Sequence, residues 1–187
     1  MPYNASYLIL AYKSKTVGYE FMKVNLFNYL DQTFKITETM GALLVSIDKQ
    51  GRPNIMTIGW LLLGCSYYEN PIAVVAVHPD RYTFKLLDEV DEFVISVPTP
   101  DLKEAVALCG EKSGKDINKF KMTRLTPIPS IQIKPPSIKE CTINIECRIY
   151  NKIRPPHYIL TPEHRRSPIS KQHTIYFAEI LGVYKHK

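Results

Sequence analysis

Apolar positions along the chain recur with the period of strands more often than that of helices. Ala42 to Asp48 is an apolar run closed by Asp48-Lys49-Gln50-Gly51, which predicts a strand and its turn. Asn54 to Tyr67 is a long apolar stretch containing Gly59 and Gly64. A glycine inside a strand marks a bulge or a close approach, by a ligand among other things. Ile72 to His78 and Glu92 to Val97 predict buried strands, and His173 to Tyr184 a closing one. From Cys141 to Tyr150 the alternation is strict. Cys141, Ile143, Ile145, Cys147 and Ile149 share one face and polar residues the other, the pattern of a half-buried strand. Cys141 and Cys147 would then face the same side, roughly 20 Å apart and too far to bridge.

Two segments predict helices. Asp80 can cap a helix over Arg81 to Val90, with Tyr82, Leu86, Leu87 and Val90 as its apolar positions. Thr99-Pro100-Asp101 opens another through Leu108, with Thr99 as cap and proline in the first turn. Residues 109–121 read as a polar connection, 123–136 with four prolines as irregular or edge strand, and 154–172 as a basic, proline-rich loop. Many strands, two short helices and no βαβ rhythm predict a mainly β fold, a barrel or sandwich with helical decoration. The absence of a GxGxxG after a strand argues against a dinucleotide-binding Rossmann domain.

Length and composition narrow the picture. One domain fits 187 residues, and 45% hydrophobic with 22% charged residues is an ordinary globular mixture. The apolar runs are too short to cross a bilayer. With no basic leader at Met1 to Leu10, the expected location is the cytoplasm. Residues 1–21 are tyrosine-rich and weakly patterned, so the expected division is an N-terminal extension over 1–21 and a domain over 22–187. The net charge of +6 arises wholly in residues 148–187, which carry eight basic and two acidic residues. Such a surface can attract a phosphorylated small molecule or nucleic acid. An aromatic–basic stacking strand is missing, which argues against nucleic acid. Cys65, Cys109, Cys141 and Cys147 include no CxxC, and His157, His164 and His186 show no ligand spacing, so no metal site is expected.

Five pieces in order carry a resemblance. Asn54-Ile55-Met56-Thr57-Ile58-Gly59-Trp60 resembles the long-strand motif of the flavin reductase-like, FMN-binding split barrels, particularly the flavoredoxin branch. Val77-His78-Pro79-Asp80-Arg81-Tyr82-Thr83 resembles that family's strand-to-helix loop, and Glu92 to Pro98 its "EFVVNVP" strand. Cys109-Gly110, Ser113-Gly114-Lys115-Asp116 and Lys119-Phe120 resemble its "CG…SG-basic-Asp…KF" segment. His173 to Glu179 resembles the late strand "H-x-[IL]-[FY]-x-G-E". The likeness runs from about Lys35 to Tyr184. Ala178 departs from the usual glycine. Asp80 stands where relatives carry a neutral or basic residue, and is expected to turn away from phosphate as the helix cap.

The resemblance implies a split β-barrel, FMN as cofactor, and an oxidoreductase that takes hydride from NADH or NADPH and passes electrons to a flavin, ferric complex, quinone or protein partner. The alternative is a flavoredoxin-like electron carrier without its own NAD(P)H reductase activity. A homodimer with flavin near the interface is also implied. FMN needs donors and positive charge for its phosphate, flat apolar walls for its ring and hydrogen-bond partners for its pyrimidine edge. Arg81 at a helix start can fork onto phosphate, with His78, Tyr82 and Thr83 beside it. Asn54 and Thr57 offer short polar groups, the Met56–Ile58 backbone can face the ring, and Trp60 can pack beside it or anchor the core. By resemblance Cys109, Ser113, Lys119 and Phe120 lie near the flavin, Lys119 offsetting negative charge on the reduced ring. His173 is the candidate catalytic residue, near the flavin or the incoming nicotinamide. Loop 154–172, with Arg165 and Arg166, would attract a phosphorylated nicotinamide.

Overall fold

The computed structural model describes residues 11–13, 19–66, 70–157 and 168–186. Its strands are β1 (Ala11–Lys13), β2 (Glu20–Lys23), β3 (Ala42–Ile47), β4 (Pro53–Ile58), β5 (Leu61–Ser66), β6 (Asn70–Val77), β7 (Glu92–Val97), β8 (Pro127–Ile128), β9 (Ser137–Ile138), β10 (Ile143–Ile153) and β11 (Thr174–His186). The helices are α1 (Leu30–Thr39), α2 (Tyr82–Glu89), α3 (Lys103–Glu111) and α4 (Lys119–Thr123). The expected 21/22 boundary falls inside β2. Phe21 there is buried against Tyr184, and β2 is hydrogen-bonded to β11.

The main sheet runs β5-β6-β11-β10-β7-β3-β4, with β2 and β1 added beyond the C-terminal part of β11. The long apolar stretch is two strands, not one. β4 pairs with β3, the chain bends at Gly59–Trp60, and β5 pairs with β6 at the other end of the sheet. The ring of strands is thus closed by the chain itself, as a split barrel.

Inside lies a core that includes Leu44, Ile58, Val75, Phe93, Ile95, Ile145 and Tyr176. A second core, with Leu43, Val45, Ile55, Val94, Val106, Cys109 and Phe120, fills the space between the outside of β3, β4 and β7 and the covering α3, α4 and segment 125–141. Both faces of β3 are therefore buried, and a continuous apolar run follows from that. Gly41 links α1 to β3 at φ +89, a conformation favouring glycine, and its N–H closes the helix on Thr37 O at 3.1 Å.

The alternating strand differs from its reading. The first part of its polar face, at Asn144 and Glu146, is covered by segment 125–141, while Arg148 and Tyr150 further along are exposed as expected. Asn144 is fully buried and holds that segment by accepting from Ile138 N (2.9 Å) and donating to Ile138 O (3.1 Å). Glu146, also fully buried, accepts from Ile131 N (2.7 Å) and Gln132 N (2.8 Å). Cys141 precedes the strand and packs in the outer core, whereas Cys147 faces the barrel interior, so the two thiols lie in different cores. The regular alternation begins only at Ile143.

Burial pushes the Glu146 carboxyl above its ordinary value, against the two backbone donors, which pull it down. The folded protein then holds this proton at a pH where the unfolded chain has released it. The contribution is fully present below the unfolded-state pKa and is lost as pH rises through the folded one. Urea unfolding should therefore show wild type losing more stability than Glu146→Gln as pH rises from about 4.5. Parallel profiles would remove this role.

Candidate functional site

The edge of β4, the start of α2, the end of α3, the turn after it and the first residue of α4 border a small cleft of about 70 Å³. Of the sequence-derived candidates, Asn54, Met56, Thr57, Arg81, Tyr82, Thr83, Cys109, Ser113 and Lys119 line it. Ile58 instead points into the barrel core, and Phe120 packs in the outer core beneath the cleft. Asp80, Gly110, Glu111, Lys112 and Gly114 also line the cleft. Gly110 and Gly114 stood in the recognised motifs, yet glycines carry no chemistry that marks them as contacts.

Two cations converge on the end of α3. That helix runs three residues past its expected end, so Cys109 and Gly110 are helical and their carbonyls fall among the unpaired groups of its last turn. Lys119 Nζ donates to Cys109 O at 2.7 Å, and Arg81 donates to Gly110 O at 3.1 Å. Neither cation has a carboxylate partner among the described residues. Lys119 is 5% exposed, although its polar surroundings in the sequence suggest a surface turn. Burial depresses its pKa, Cys109 pulls it back up, and Arg81 adds to the depression. Burial also pushes the Cys109 thiol up to about 11, so it is a protonated core group at neutral pH.

Asp80 does not cap the helix. The boundary residue of α2 is Arg81, and its first turn has no side-chain cap. The carboxylate is instead 2.5 Å from Lys171 Nζ, a partner 91 residues away that holds its pKa below the ordinary range. Asp80 nevertheless lines the cleft, so it is not turned away from it as a helix cap would be. His78 Nδ1 accepts from Asp80 N at 3.2 Å.

Beside this loop His173 sits between two rings, with centroids 5.2 Å from His78 and 5.5 Å from Trp60. Trp60 is 51% exposed and so is no core anchor. Burial, then His78, Arg81 and His157, depress the His173 pKa, which keeps the imidazole neutral at pH 7. The candidates thus fall into a cationic cleft and an adjoining aromatic–histidine group. Arg165 and Arg166 lie outside the described residues. Among the described residues no three histidine, cysteine or acidic groups gather as a metal site, and no helix is long and apolar enough to cross a membrane.

Residues 37–187 match the model of the flavin reductase like domain. The chain belongs to that family. An uncharacterized protein of Archaeoglobus fulgidus is 34% identical over 132 residues, 71% of this chain and 65% of the relative. The chain thus spans just under two-thirds of that relative's length. Among solved structures, flavoredoxin of Desulfovibrio vulgaris (Miyazaki F) is 27% identical with a TM-score of 0.62, over 76% of this chain and 67% of that one. The NADH:FAD oxidoreductase of Streptomyces globisporus C-1027, at 16% identity and a TM-score of 0.60 over 78% and 75% of the two chains, shares the fold. Of the segments that carry the resemblance, those around Asn54, Arg81 and Cys109–Lys119 meet at the cleft beside β4.

Proposed function

We propose that this protein is an FMN-binding oxidoreductase whose cofactor occupies the cleft between β4, α2 and α3. The observation that carries the reading is the pair Arg81 and Lys119, which face one cleft and form no ion pair with a carboxylate among the described residues. The rest of the donor set fits FMN. Thr83 and Ser113 add hydroxyls, and β4 brings Asn54 and Thr57 to the cleft. Bound FMN supplies the hydride- and electron-carrying centre between NADH or NADPH and a flavin, ferric complex, quinone or protein acceptor.

The chain's own groups bind, orient and balance charge. Arg81 gives a planar fork of donors suited to phosphate. Lys119 supplies a buried positive charge that strengthens as water is excluded. Thr57, fixed by its 2.5 Å bond to Val106 O, holds β4 against α3. His173, between Trp60 and His78 in the group beside the cleft, can donate or accept one proton. Trp60 and Leu62, both exposed and flanking the start of β5, offer an apolar surface to a second copy in a homodimer.

Denaturing the purified protein should release FMN identifiable by mass spectrometry, and rapid mixing of the flavin-loaded protein with NADH or NADPH should bleach the flavin band. Absence of flavin binding would overturn the reading. Binding without bleaching would assign the protein instead as a carrier served by a protein partner.

A further inference from the structure

Asp80 puts an acid in a cleft whose cations, Arg81 and Lys119, suit an anion. It is also where the chain departs from the family's strand-to-helix loop, so the family motif does not account for it. A hydrogen bond from Lys171 lowers its pKa first; burial opposes this, and the charges of Lys171, His78 and Arg81 lower it further. The group is therefore ionised at neutral pH. An ionised acid next to Arg81 repels an incoming anion and competes for that cation. The fold brings one ammonium against it. Lys171 Nζ meets Asp80 Oδ2 at 2.5 Å, from 91 residues further along the chain. His78 Nδ1 stands 3.7 Å from the same oxygen, but it already accepts from Asp80 N. The backbone that carries Lys171 is held in place. Lys171 N donates to Pro168 O at 2.8 Å, Gln172 N to Ile169 O at 3.1 Å, and His157 N to Gln172 Oε1 at 3.1 Å. The side chains of Lys171 and Asp80 are 54% and 61% exposed. A pair so exposed adds little to stability, so its consequence lies in the charge of the cleft.

We propose that Lys171 is a positioning residue for anion binding: it holds the Asp80 carboxylate and offsets its charge, which leaves Arg81 to the ligand. The inference rests on the FMN reading and adds to it a residue that stands in none of the five segments carrying the resemblance. Lys171 acts through Asp80 and does not itself touch the ligand. Its effect on affinity therefore exists only while Asp80 is charged. Because both side chains are exposed, dissolved salt weakens that effect. The end of the basic 154–172 segment thus serves the cleft by neutralising an acid there, a role distinct from attracting a phosphorylated nicotinamide.

The test is a fluorescence titration of FMN with wild type, Lys171→Met, Asp80→Asn and the Asp80→Asn/Lys171→Met double variant. It is run at about 0.01 M and about 1 M sodium chloride, where screening lengths are about 30 Å and 3 Å. At low salt Lys171→Met should bind FMN roughly three- to tenfold more weakly than wild type. Asp80→Asn should bind at least as tightly as wild type, and the double variant should match Asp80→Asn. At high salt the deficit of Lys171→Met should shrink. Riboflavin, which lacks the phosphate, should lose no affinity in Lys171→Met, and thermal melts should be unchanged. The proposal is overturned if Lys171→Met binds FMN as wild type does at low salt, or weakens riboflavin as much as FMN. It is also overturned if the deficit persists in the Asp80→Asn background, which would make Lys171 a direct ligand or a support of the fold. Failure of wild type to bind FMN would instead overturn the cofactor reading itself.

Discussion

Arg81→Ala should raise the FMN dissociation constant about ten- to a hundredfold, the worth of a charge-assisted hydrogen bond of about 1.5–3 kcal/mol. Lys119→Met, which keeps the length and apolar stem, should weaken FMN binding comparably. The two variants differ in pH dependence. A bound anion favours charged Lys119, so its pKa in the complex exceeds the depressed value of the free protein. The lysine's contribution to affinity is complete below the free-protein pKa and is lost as pH rises through that of the complex. Titrations from neutral pH upward should show declining affinity in wild type and in Arg81→Ala, and a flatter profile in Lys119→Met. An unchanged constant in Arg81→Ala would remove that residue from the site. A slope that survives in Lys119→Met would remove the lysine.

Gly41→Ala should cost about 2–4 kcal/mol of stability, and roughly 5–15 °C in Tm. Two effects add. The positive φ is strained for alanine, and its Cβ would stand 2.7 Å from Thr57 Cγ2 and 2.9 Å from Ile58 O. The second contact is backbone and cannot rotate away. The first is a side chain already tied to Val106 O, so relief there disturbs the packing of β4 on α3. Flavin affinity should therefore fall along with the melting temperature. A melt within 2 °C of wild type would mean the turn relaxes at little cost, contrary to this account.

Local pattern was enough to find β3, β7, β11 and the two helix starts, because their signals, continuous apolar runs and a proline in a first turn, act over a few residues. The ordered motifs were also enough to gather Asn54, Arg81, Cys109 and Ser113 at one cleft. What stayed hidden depends on partners distant in sequence. Lys119 is legible as a site candidate by resemblance but its burial is not: its run is polar, yet α3 extends past its expected end and presents a carbonyl that draws the amine inward. Asp80 reads as a cap for its own helix, but Lys171 is the stronger partner and lies far along the chain. Asn144 and Glu146 read as a wet face, since nothing local reveals that segment 125–141 will lie across it. Cys141 was assigned to the strand face by parity, an argument that fails once the strand begins two residues later.

The bend at Gly59–Trp60 has a cost and a use. Because covalent continuity, not a ladder, joins β4 to β5, β4 has β3 as its one strand partner among the described residues, and its other margin remains unzipped beside the cleft. A flat heteroaromatic can lie along such a margin without displacing any interstrand bond. If the proposed cofactor lies there, sequence changes that stitched this seam shut would make the barrel sturdier at the expense of flavin binding, so selection for that binding should keep the fold less stable than its topology allows.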